Sequence, residues 1–173
     1  MAIDRLDRKI IAELQEHGRL SLKDLAERVG LTLSPTHRRV RELEQSGVIV
    51  GYRALVDPDL LGLGFEALVF VTMKQEDRTT VLGFEQAVAA IPNVVEAQRL
   101  FGDPDYLLRV RATDLDGYAA LYDDVLSTLP GVLRLNSTLV MKNVVIDRPL
   151  PIDQAWSAET AGKTRAGGAP DAD

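Results

Sequence analysis

The chain contains no cysteine. Disulfides, thiol catalysis and cysteine-bound zinc are therefore excluded. Its two histidines, His17 and His37, are too few for a histidine-based metal centre within one subunit. Aromatic residues make up only 5% of the 173 residues, with a single tryptophan, Trp156. No apolar run approaches the roughly 20 residues of a membrane-spanning helix. The opening residues, MAIDRLDRK, lack the character of a secretory signal. A cytoplasmic protein with no membrane partner is expected. What the chain does have is apolar content of 46%, enough for packed cores in one ordinary domain or two small ones. The net charge of −6 argues against a nucleic-acid partner only if it is taken globally. Residues 1–53 carry ten Lys and Arg against eight Asp and Glu, and the remainder carries ten against eighteen. Phosphate contacts need local positive charge, not a basic total.

The N-terminal stretch reads as three helices. Asp4 can cap the first, which runs to about Glu16 with Leu6, Ile10, Ile11 and Leu14 as its apolar stripe. Gly18 ends it. Ser21 caps a second helix, with Asp24 three residues on and Leu22, Leu25, Ala26 and Val29 facing inward. Gly30 supplies the backbone freedom of the turn that follows. The third helix starts after Thr32, its expected cap, and tolerates Pro35 in its first turn. Leu33, Thr36, Val40 and Leu43 share one face of it. Ser34, Arg38, Arg41 and Gln45 fall on the other, with His37 and Arg39 on the flanks. Gly47 closes the helix, and Val48, Ile49, Val50 and Tyr52 are expected to form a strand, the start of a wing. Helix, tight turn and second helix make the frame that presents a helix to the DNA major groove. Arginine can read guanine bidentately, and serine or threonine can bond phosphate or base edges. Taken alone, the three arginines are equally compatible with a solvated face paired to Glu42 and Glu44. The helix–Gly–helix frame tips the reading to DNA. The candidate DNA-binding residues are Thr32, Ser34, Thr36, His37, Arg38, Arg39 and Arg41.

After a connection over 54–65, punctuated by Pro58, Gly62 and Gly64, the chain repeats itself. Ala90-Ile91-Pro92-Asn93-Val94-Val95 resembles Thr128-Leu129-Pro130-Gly131-Val132-Leu133, 38 residues later. Each copy follows an amphipathic helix, one using Val81, Phe84, Val88 and Ile91, the other Leu115, Tyr118, Tyr122, Val125 and Leu129. Strands are expected at 66–74, 94–100, 105–113 and 132–145. The order βαββαβ predicts a ferredoxin-like antiparallel sheet with both helices on one face. In Leu68-Val69-Phe70-Val71-Thr72-Met73 both alternating faces are apolar, so the face without helices is expected to be covered by a second subunit. The loop Phe101-Gly102-Asp103-Pro104-Asp105-Tyr106 offers two carboxylates to an ammonium group and backbone amides to a carboxylate. On its own it reads as an ordinary Asp-Pro turn.

These residues together resemble one family. Leu6-Asp7, Ile10-Ile11, Leu14, Gly18-Arg19, Leu25-Ala26, Val29-Gly30-Leu31, Arg38-Arg39-Val40, Leu43-Glu44, Gly47-Val48-Ile49 and Gly51-Tyr52 carry the likeness in the first part. Gly102, Asp105-Tyr106 and Ser137-Thr138-Leu139-Val140-Met141-Lys142 carry it in the second. The chain resembles the leucine-responsive/asparagine-responsive (Lrp/AsnC, or feast/famine) transcriptional regulators over roughly residues 3–147. The resemblance implies an α+β protein: a winged helix-turn-helix over 1–53, a linker over 54–65, and a ferredoxin-like effector-binding and oligomerisation domain over 66–147. It implies double-stranded DNA as partner, homodimers assembling into tetramers or octamers, and a small effector, commonly an amino acid, bound between dimers. No cofactor is implied. The loop becomes an effector site, with Phe101, Gly102, Asp103, Asp105 and Tyr106 joined by Ser137 and Thr138 from the neighbouring strand. The resemblance implies control by linkage, in which an effector that favours one assembly also changes DNA affinity. Two positions depart from the pattern: Ser137 stands where threonine is frequent, and Pro104 removes a backbone donor. Residues 148–173, rich in small and polar residues, read as a disordered tail in which Trp156 is an exception.

An enzyme on the same scaffold is the alternative, since siroheme decarboxylase subunits resemble this family. That chemistry needs proton-donating or propionate-binding residues around a tetrapyrrole. Here both histidines lie in the N-terminal part and Arg38 and Arg41 stand where DNA needs them, so a regulator without enzymatic activity is expected.

Overall fold

The computed structural model describes residues 3–74 and 77–152. The described residues divide into two compact units: one holds residues 3–54 together with 145–152, the other lies within Leu55–Val144.

In the first unit, α1 (Arg5–Glu16), α2 (Leu22–Val29) and α3 (Leu33–Gln45) pack around Ile10, Leu25, Val29, Val40 and Leu43. Asp4 accepts the Asp7 N–H while the Asp7 carboxylate accepts the Asp4 N–H, a reciprocal cap that starts α1. Ser21 Oγ accepts from Asp24 N–H at the head of α2. Gly30 ends α2 in the left-handed region at φ 75°, where its N–H bonds the Ala26 and Glu27 carbonyls. Thr32 departs from expectation. Its side chain caps nothing; its carbonyl instead accepts from the Thr36 hydroxyl at 2.9 Å.

The expected wing strand is also absent. The Val48 and Ile49 N–H groups both turn back onto the Leu43 carbonyl, and Val50 is almost wholly exposed. Among the described residues no strand pairs with this segment, and a strand without a neighbour leaves its backbone groups to water. Residues 148–152 form no regular element, yet Leu150 is held at both backbone groups by the Gln15 side-chain amide, and Arg53 pairs with Asp147 at 2.6 Å. The tail beyond 152, with Trp156, lies outside the described residues.

In the second unit, β1 (Phe65–Met73), α4 (Arg78–Ala89), β2 (Val94–Arg99), β3 (Tyr106–Ala112), α5 (Leu115–Asp124) and β4 (Val132–Leu139) follow the order βαββαβ. All strand pairs are antiparallel, in the spatial order β2-β3-β1-β4. Alternation sends Ala67, Val69, Val71 and Met73 of β1, with Tyr106, Leu108, Val110 and Ala112 of β3, into one core with Phe84, Val88, Tyr118, Leu126 and Leu129. The stretch expected as one helix to Leu129 breaks at Val125 into a 3-10 turn over Leu126–Thr128, which seats Leu126 in the core. β4 stops at Leu139 rather than Val145. Leu139 pairs with Ala67, Val140 N–H reaches the Glu66 carbonyl, and only Phe65 of β1 remains beyond it. The other face of the sheet presents Leu68, Phe70 and Leu107, all half-buried.

Candidate functional sites

α3 sorts the candidate DNA-binding residues into two groups. Thr32, Ser34, His37, Arg38 and Arg41 are exposed. Arg38 leans on Glu42 one turn along, a pair whose side chains remain 63% and 42% exposed and are free to exchange partners. Thr36 and Arg39 belong elsewhere. Thr36 is wholly buried, and its hydroxyl is spent inside the helix. Arg39 turns to α1, donating to Asp7 at 2.6 Å and Asp4 at 2.8 Å. The Asp7 hydrogen bond, foremost, keeps that guanidinium charged, and the Asp7 N–H with Arg39 holds the Asp4 carboxyl below its usual range. Both residues are corrections to the sequence reading: periodicity places Arg39 on a flank but does not say which partner the flank meets. Leu33, expected on the inner stripe, is 54% exposed.

The second candidate site is built by the β2–β3 loop. Leu100 N–H bonds the Asp105 carbonyl, Asp105 N–H bonds the Val71 carbonyl, and Met73 N–H bonds the Asp105 carboxylate at 2.7 Å. The loop is thus pinned to the end of β1. Gly102, at φ 141°, allows it to turn. A groove of about 760 Å³ opens beside it, lined by Thr72, Arg99, Phe101, Gly102, Asp103, Asp105 and Tyr106 among others. Phe101 is fully exposed, while Tyr106 is buried and donates its hydroxyl to Glu85 at 2.9 Å. Burial and then Glu85 push the Tyr106 hydroxyl up to about 12, so it stays protonated at neutral pH. The groove holds charge of both signs, because Arg99 stands 6.0 Å over the Tyr106 ring. Sequence reasoning missed Arg99; its only signal was adjacency to the loop.

Ser137 and Thr138 do not line this groove. Being consecutive on a strand, they point to opposite faces. The Ser137 hydroxyl is hydrogen-bonded to that of Tyr118 under α5, and Thr138 lies opposite Leu68.

On the open face of the sheet Glu66 is buried despite its charge, with Arg109 and Arg111 paired to its two carboxylate oxygens and Asn143 donating at 2.8 Å. Arg109 also reaches Glu96 at 3.0 Å. Burial alone would raise the Glu66 carboxyl; Asn143, Arg109 and Arg111 outweigh it and hold the group below its ordinary value. Among the described residues there is no cluster of three potential metal ligands, and no helix is long and apolar enough to cross a membrane.

Comparison with known proteins covers both units. A family model described as winged helix-turn-helix DNA-binding matches residues 3–50, and one described as the Lrp/AsnC ligand binding domain matches residues 66–150. The Bkd operon transcriptional regulator of Pseudomonas aeruginosa is 37% identical over 150 residues, covering 87% of this chain and 98% of that protein. The leucine-responsive regulatory protein of Escherichia coli is 38% identical, covering 82% and 87%. Among solved structures, a transcriptional regulator from Neisseria meningitidis in complex with L-methionine superposes with a TM-score of 0.83 at 33% identity, covering 89% of this chain and 99% of that one. The enzyme alternative gains no support from these relatives.

Proposed function

The chain belongs to the Lrp/AsnC family of transcriptional regulators, and from that premise we propose that it reads DNA through α3 and answers to a small zwitterion held beside the β2–β3 loop. The observation that carries the effector half is that Arg99, Asp103 and Asp105 all line one groove. A free amino acid carries a carboxylate and an ammonium group a few ångströms apart. Arg99 suits the first, and Asp103, whose carboxylate has among the described residues only a 3.4 Å contact with the Thr72 hydroxyl, suits the second. The relative crystallised with L-methionine supports an amino acid as the ligand class. On the DNA side, Ser34, His37, Arg38 and Arg41 form the reading surface, with Thr32 at its edge; Thr36 and Arg39 support it from within.

In this reading the protein works as a homodimer, joined through the open sheet face with Leu68, Phe70 and Leu107 at its centre, and dimers assemble into tetramers or octamers. Ser137 and Thr138 would then serve assembly rather than direct ligand contact. The protein acts in the cytoplasm and catalyses no reaction. Control is by linkage: a ligand that favours one assembly shifts DNA affinity by the same free energy.

Thermal unfolding against the amino acids and their keto-acid relatives tests the effector half, because a ligand bound only to the native state raises the midpoint by mass action. A rise with one amino acid, lost in Arg99→Ala, is expected. No rise with any of them at millimolar concentration removes amino acids from the proposal.

A further inference from the structure

α3 contains four apolar residues, Leu33, Pro35, Val40 and Leu43. Val40 and Leu43 are buried and Pro35 is half-buried. Leu33 alone of the four lies open, at 54%, because the inward stripe of the helix meets the core only from Thr36 onward. Its neighbours on the surface are Thr32, Ser34 and His37, all exposed and all polar. A single exposed leucine says little by itself. Its position says more: Leu33 is the first residue of α3, and the N-terminal residues of the second helix in a helix-turn-helix are those that reach base edges. The apolar feature of the major groove is the C5-methyl group of thymine.

We infer that Leu33 covers a thymine methyl in each copy of the recognised site, so that it separates thymine from cytosine at one position. The polar work is left to its neighbours. Ser34, one residue on, and Arg38, on the same face one turn further, have the hydrogen-bonding groups for phosphate and base edges that Leu33 lacks. The inference rests on α3 being the DNA-reading helix and goes beyond it by assigning the chemistry that one side chain recognises.

The test begins with selection of bound fragments from random duplex DNA by the full chain. Each thymine of the selected site is then replaced in turn by deoxyuridine, which removes the methyl and nothing else. One thymine per copy of the site is expected at which this replacement weakens binding about fourfold, the worth of burying one methyl group. At that thymine the Leu33→Ala chain should be indifferent to the replacement, and Leu33→Met, still apolar and long enough, should keep most of the response. The inference is overturned if no thymine matters more to the native chain than to Leu33→Ala. Failure to select any site would overturn the DNA-reading role of α3 itself, which is a different result from a selected site indifferent to its methyl groups.

Discussion

Arg39 of α3 donates to Asp7 of α1 at 2.6 Å, and the Asp7 side chain is only 7% exposed. The residue therefore ties α3 to the first helix. Removing it strands a mostly buried carboxylate. Arg39→Ala should lower unfolding stability by about 2 kcal/mol, read from the urea midpoint. Arg38→Ala, one position away and largely exposed, should leave that midpoint within about 0.5 kcal/mol while weakening binding to the selected DNA. Equal stability losses in the two variants would remove this division of labour.

The loop carboxylates are not equivalent. Asp105 accepts the Met73 N–H, whereas among the described residues Asp103 has only the 3.4 Å contact with the Thr72 hydroxyl. Asp103→Asn should reduce ligand affinity by roughly tenfold or more, the scale of one charge-assisted hydrogen bond, with little change in the ligand-free midpoint. Asp105→Asn should lower both. Calorimetric titration with the effector found by thermal shift, set beside ligand-free melting, checks the pair; intact affinity in Asp103→Asn would take that carboxylate out of the site.

Gly102 sits at φ 141° with nothing within 4 Å of where a Cβ would stand. Any cost of a side chain there is one of backbone conformation rather than crowding. Gly102→Ala should cost about 1 kcal/mol of stability and loosen the loop that shapes the groove. The expected signature is a weaker effector response at unchanged DNA affinity, measured by DNA titration with and without ligand.

Glu66 links stability to acidity. Its folded-state carboxyl lies below the ordinary value of 4.5, so it favours the folded state above that value and loses this contribution as pH falls through the depressed folded value. The native chain should therefore lose stability steeply below about pH 4.5, and Glu66→Gln, which leaves Arg109 and Arg111 without their shared partner, should be less stable by about 2 kcal/mol at pH 7 with a flatter acid limb. Parallel acid limbs in the two proteins, followed by unfolding from pH 7 to pH 3, would show that other carboxylates govern the slope.

Much of this protein is legible in its sequence. Ser21, Asp4 and Gly30 announce helix ends because capping and left-handed turns are local requirements, met by residues a few positions apart. The βαββαβ order followed from period-two and period-3.6 patterns and from a repeat around Pro92 and Pro130. The β2–β3 loop was harder. On their own its residues read as an ordinary turn, and only the family resemblance marks them, since nothing local distinguishes Asp103 from any turn aspartate. Val48 to Tyr52 misled because β-branched residues make a strand possible without supplying a neighbour for it to pair with.

The sequence by itself determined where the helices and the four strands of the sheet begin, which side chains are apolar, and the family to which the pattern belongs. Those are matters of spacing along the chain. Only the tertiary structure decided that Arg39 faces Asp7, that Thr36 and Glu66 are buried, that Leu33 is open, and that Arg99 shares a groove with Asp103 while Ser137 turns to Tyr118. Each of these depends on what the fold brings up to the residue or leaves away from it, and the energy of a charge or a hydroxyl is set by that surrounding as much as by its neighbours in the chain.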